Sequence, residues 1–170
     1  MKNHLSPAQA VIRSIVPPLL LSSASFIFCM HWFLLMADSL ASGIALDTIP
    51  APILSSIIAY YTVVFGPMTW LIKMVILTML LSMTLQLTIK EIPWLLRYLI
   101  FITNAPFVFY GVFYIIPLAD RLITTTATPE IQSQFVRTIH SAHVASAYAA
   151  ALMIVLQLFI IIRLQRQAGG

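Results

Sequence analysis

Three histidines bring donor atoms for metal chemistry into an otherwise apolar chain of 170 residues. His140 and His143 are three residues apart, which on a helix places them on one face. His31 lies in a separate apolar stretch whose direction brings it to the same side of a membrane, with depths that differ by about 6 to 10 Å on upright helices. Asp38, seven residues after His31, falls on nearly the same stripe, and Asp120 lies at the same boundary. Imidazole nitrogens with a carboxylate suit zinc, copper or iron, and two histidines on different helices can hold a haem iron from both faces. The candidate metal ligands are therefore His31, His140 and His143. Met30, Met36, Met74, Met79 and Met83 add thioethers, which are copper-type donors but equally ordinary apolar filler. The histidine pair lacks the flanking residues of a metalloenzyme motif, so imidazoles solvated or bonded to backbone carbonyls are the simpler expectation. A single cysteine, Cys29, excludes an internal disulfide and any Cys-rich metal centre.

Two further polar residues stand inside apolar stretches. Asn104 precedes Pro106, whose missing N–H leaves the carbonyl of Ile102 without its helical partner, so a kink is expected there with Asn104 bonded to a neighbouring helix. Lys73 has a stem long enough to carry its ammonium to the headgroups. A phosphate-cradling glycine loop, a nucleophile beside a base and a paired-carboxylate motif are all missing, which argues against hydrolytic catalysis.

The elements that position these residues follow from composition. With 61% apolar and 8% charged residues and a mean hydropathy of +0.98, the chain has too little polar surface to cover a water-soluble globule. Four stretches, about 15–36, 68–87, 93–118 and 129–165, each meet the roughly 20 residues that a helix needs to cross a bilayer. Strand-like alternation is absent, and open sheet edges are untenable in lipid. The expected fold is all-α: a single domain over 1–170, polytopic, with four transmembrane helices. The first stretch is too long for the apolar core of a signal peptide and reads as a retained anchor.

Lys2, Arg13, Lys90, Arg97, Arg163 and Arg166 cluster at one set of helix ends, so the positive-inside rule places both termini in the cytoplasm, the membrane being a bacterial inner membrane. The basic residues are too scattered for a nucleic-acid surface and suit anionic headgroups instead. Residues 53–65 carry Leu54, Ile57, Ile58, Tyr61 and Phe65 at helical spacing. A break at Gly66 and Pro67 would make this an interfacial or re-entrant segment on the outer face, because a continuous helix of about 36 residues would be about 54 Å long. Thr128, Pro129 and Glu130 form a helix start. Ala142, Ser146 and Ala150 make a small-residue stripe suited to close helix contact, and Phe107, Phe109, Tyr110, Phe113 and Tyr114 form an aromatic run toward the outer interface.

The stretch from Val112 to Ala151, with Pro117-Leu118, Phe135-Val136-Arg137 and His140 to Val144, resembles the last third of the small anthrone-oxygenase-like four-helix membrane proteins. It covers less than a quarter of the chain. Ala119, and in the final helix His140 or His143, stand where that family's asparagines are expected, so no residue role is carried over.

The leading functional expectation is an accessory or structural subunit of a larger membrane complex, whose partners are the lipid bilayer with other membrane subunits or further copies of itself. The alternatives are a haem- or transition-metal-binding redox protein using His31, His140 and His143, and a small transporter centred on Asn104.

Overall fold

The computed structural model describes residues 6–42, 44 and 47–168. Lys2 and the side chains of Asp38 and Phe65, which entered the expectations above, lie outside the described residues. The chain forms α1 (Pro7–Ser42), α2 (Ala51–Gln86), α3 (Trp94–Tyr110), a π-helical turn (Gly111–Ile115), α4 (Ile116–Thr124) and α5 (Pro129–Ala168), with no strand among the described residues. The π turn joins α3 to α4 end to end, so the chain makes four rods. Short connections turn each rod back on the last. Four helical segments, Pro7–Ala37, Met68–Gln86, Trp94–Thr124 and Pro129–Gln167, are long and apolar enough to cross a membrane, and the chain is an integral membrane protein.

Proline sets the helix starts. Pro7 and Pro129 are the first residues of α1 and α5, Pro52 is the second of α2, and Pro93 immediately precedes α3. A helix start has no partner for its first N–H groups, so a residue without one loses nothing there. The Thr128 carbonyl accepts the Gln132 N–H at 3.0 Å, as expected of an N-cap. Hydroxyls on the spans bond back to carbonyls one turn earlier: Ser23 to Leu19 at 2.9 Å, Thr84 to Leu80 at 2.9 Å and Thr103 to Leu99 at 2.7 Å. This hides them from lipid without a partner helix.

The break expected at Gly66 and Pro67 is absent, and residues 51–86 run as one helix. Continuing through proline sacrifices one backbone hydrogen bond, whereas ending the helix in an apolar setting would strand several groups at once. The length objection also falls. α1 is itself 36 residues long and α5 is 40, so a helix of this length matches its neighbours, and one face of the first half of α2 packs on protein. Leu54, Ile57 and Tyr61 are buried against Leu118, Leu122 and Ile139 of α4 and α5.

The core is split along the bundle axis. This distal cluster occupies the end where α2 and α5 begin. A second cluster, including Leu20, Met83, Ile100, Met153 and Ile160, fills the end that carries Arg13, Arg97 and Arg163, called here the basic end. Arg13 ties that end together, donating from Nη2 to the Leu164 carbonyl at 3.1 Å and lying 4.0 Å from Glu91. Arg97 donates to the Leu87 carbonyl. At the distal end the Ile49 N–H donates to Ser133 Oγ at 2.9 Å, and Arg137 donates to the Ile44 carbonyl at 3.2 Å. α1 packs most extensively on α5 and next on α2, while the α3–α4 rod makes lighter contact with the others.

The backbone remains helical through Pro106. The irregularity comes five residues later, where the Ile116 N–H reaches back to the Gly111 carbonyl to close the π turn.

Candidate functional site

Between the two clusters lies a partly open cavity to which all four rods contribute. His31 of α1 and His143 of α5 share its wall with Asn104 of α3, Ser146 of α5 and Gly111 of the π turn. The seam of α5 explains the placement. His143, Ser146, Ala150 and Met153 recur at alternating steps of three and four, which keeps one stripe facing inward. On α1 the residues Ala24, Ile27, His31 and Leu34 follow the same steps.

The two imidazoles meet edge to face, with ring centroids 5.3 Å apart and planes at 81°. His31 Nδ1 is 2.7 Å from the Ile27 carbonyl. A carbonyl only accepts, so Nδ1 carries the proton and Nε2 presents its lone pair. His143 is 5% exposed. Tyr61 of α2 stacks on it, with centroids 6.4 Å apart and planes at 7°, and its hydroxyl lies 3.5 Å from His143 Nδ1. That contact is at the long limit of a hydrogen bond.

Asn104 is 2% exposed, and its bonding differs from expectation. Its amide donates to the Ile100 carbonyl at 3.0 Å and to Thr103 Oγ1 at 2.9 Å, both on its own helix. Both amide protons are thus committed locally, which leaves Oδ1 as an acceptor on a cavity-lining residue. The π turn shapes the facing wall. A Cβ added at Gly111 would meet nothing within 4 Å, so this position leaves room where a side chain would project. π turns inside α-helices recur at functional sites because they redirect the side chains around them.

The structure gathers some of the sequence candidates and not others. His31 and His143 come together, whereas His140 is half-buried and does not line the cavity. Three residues along a helix is 300°, so a neighbour at that spacing is rotated by about 60°. Among the described residues no three His, Cys, Asp or Glu side chains converge. Asp120 is exposed. Of the methionines, Met30 and Met79 line the cavity together with Met153. Met36 and Met74 are exposed, and Met83 lies in the basic-end core. Lys73 is exposed, as snorkelling requires. Ala142 and Ala150 are buried and Ser146 faces the cavity, so the small-residue stripe serves the bundle's own interior and is not a surface for a partner. Tyr61, read from sequence as an interfacial residue, is 1% exposed.

Among the described residues no carboxylate, thiol or cationic side chain lines the cavity. Its donors are all neutral: two imidazoles, three thioethers, an amide oxygen and a hydroxyl. Such a wall can hold a cation of low charge or a small polar group, but it offers nothing to neutralise a divalent ion, for which the desolvation cost rises with the square of the charge.

Compared with known proteins, the chain matches no family model, no curated protein and no solved structure.

Proposed function

We propose that this is a membrane-embedded binding protein for a soft monovalent transition-metal ion, Cu(I) by chemistry, held at His31 and His143. The observation that carries the reading is the imidazole pair itself. Two imidazoles bound to one ion at about 2.0–2.1 Å and a tetrahedral angle have centroids about 5.2 Å apart, whereas ligands on opposite sides of an ion stand about 6.4 Å apart. The pair stands at 5.3 Å, a separation at which both rings can reach one ion.

Two features support it further. A metal-bound histidine ordinarily donates its other ring N–H to a carbonyl or carboxylate, as His31 does to Ile27. Imidazole with thioether and no carboxylate is a soft, neutral donor set that selects Cu(I) over the harder divalent ions. Met30, Met79 and Met153 supply the thioethers. Ala142, Ser146 and Ala150 face inward, so of the helix faces behind the accessory-subunit reading it is the aromatic run of Phe109, Tyr110, Phe113 and Tyr114 that stays exposed. By the positive-inside rule the basic end belongs in the cytoplasm, here of a bacterial inner membrane.

Metal analysis of protein purified under reducing conditions, with competition against a chromogenic Cu(I) chelator, tests the reading. About one copper per chain is expected. His31→Ala and His143→Ala each lower the affinity by at least tenfold, and His140→Ala leaves it within a factor of about three. Copper-free protein that also fails to take up added Cu(I), or unchanged affinity in the His31→Ala, His143→Ala double variant, would overturn it.

A further inference from the structure

Away from the cavity, two buried side chains have no partner. Gln86 is 1% exposed and Gln157 is 0% exposed, and neither the amide nitrogen nor the amide oxygen of either makes a hydrogen bond among the described residues. An unpaired amide in an apolar setting is costly, and lipid cannot supply the bond. Two complete amides left in this condition is a large deficit for so small a bundle. Water is the partner that fits, since it both donates and accepts.

Their positions are related. Gln157 lies one turn beyond Met153 on the inward seam of α5, followed by Ile160 and Leu164, and Met153 lines the cavity. Gln86 lies three residues beyond Met83 and seven beyond Met79 on α2, and Met79 lines the cavity too. Ser82, 2% exposed, is one turn before Gln86 on the same stripe. Both seams therefore descend from the cavity toward the basic end with a buried polar residue in each. The distal half is different. Its buried cluster is apolar apart from Tyr61, which meets His143, and the one buried serine there, Ser133, donates to the Pro129 carbonyl at 2.6 Å.

We propose that Gln157, Ser82 and Gln86 line a hydrated passage that admits water and small cations from the basic end to the central cavity, while the distal half stays dry. The cavity would then be filled and emptied from one side. The passage does not depend on which ligand the cavity holds.

Cysteine accessibility to a small hydrophilic cation tests this directly, because a methanethiosulfonate reacts with the thiolate, which forms only in contact with water. In a Cys29→Ser background and in metal-free protein reconstituted in nanodiscs, Gln86→Cys, Ser82→Cys and Gln157→Cys are exposed to methanethiosulfonate ethylammonium. The controls are Leu158→Cys on the lipid-facing side of α5 and Ala119→Cys in the distal core. The three passage positions are expected to react at least tenfold faster than both controls, with Gln86→Cys fastest. Ser82→Cys is nearly isosteric and guards against loss of fold at the glutamine positions. Reaction at Ser82→Cys and Gln157→Cys no faster than at Leu158→Cys would overturn the passage. Equal reaction at Ala119→Cys would overturn its one-sidedness. Because no metal is present, either result stands apart from the copper measurement.

Discussion

His143 is held between two rings, edge to face with His31 and stacked on Tyr61. Held this way, the imidazole has little rotational freedom, which matters for a ligand because an ion selects one ring orientation. The phenol hydroxyl near Nδ1 adds direction to the stacking. Tyr61→Phe keeps the stack and removes only the hydroxyl, so it should weaken metal binding by a few-fold to tenfold. Tyr61→Leu removes both and should weaken it more, within the 10–100-fold range of outer-shell partners. Chelator competition on the two variants reads the difference, and equal affinities in wild type and Tyr61→Leu would remove Tyr61 from the site. At this scale the sequence was partly legible. A histidine in an apolar helix stands out, and the structure brings His31 and His143 into contact. Helical spacing groups residues only to within a turn, so His140 was grouped with them although it lies off the cavity. Tyr61 gave no signal, since a helix apolar all round does not reveal which side faces in.

Elements explain why the site is where it is. α1, α2 and α5 run 36 to 40 residues, and a cavity between two core clusters needs that length. Spans of about 20 residues could not supply two core clusters with a cavity between them. The four spans were readable from hydropathy because lipid demands long apolar runs. The continuity of α2 was not, because glycine and proline weaken a helix without dictating its end once neighbours cover it. Gly66 is helical with nothing within 4 Å of an added Cβ, and no glycine with positive φ is found among the described residues. Gly66→Ala should therefore stabilise the chain by about 0.5–1 kcal/mol. A thermal shift of the purified protein checks it, and destabilisation would restore the break. The π turn makes a different prediction. Gly111→Leu adds an isobutyl group to a residue that lines the cavity, so copper binding should fall at least tenfold while thermal stability changes little. Unaltered binding would mean that the turn does not bound the site.

For the whole molecule, the orientation in the membrane decides what the asymmetry of the bundle means. One end gathers Arg13, Lys90, Arg97, Arg163 and Arg166, while the other carries Asp47, Asp120 and Glu130 alongside Arg121 and Arg137. Charge bias within a few residues of the spans sets topology, and here the first, third and fourth spans all carry it in the same direction. With the basic end in the cytoplasm, the unpartnered glutamines lie toward the reducing compartment, where copper is kept as Cu(I), and the distal half faces out. The reverse orientation would open the cavity to the oxidising side, where a thioether-rich site has little to bind. Single cysteines in a Cys29→Ser background separate the two. Thr126→Cys sits in the exposed α4–α5 connection and Thr88→Cys in the exposed α2–α3 connection, and neither change removes a basic residue. In intact cells an impermeant maleimide should label Thr126→Cys and leave Thr88→Cys unlabelled until the membrane is opened. Labelling of Thr88→Cys alone would turn the molecule over and, with it, the side from which the cavity is filled.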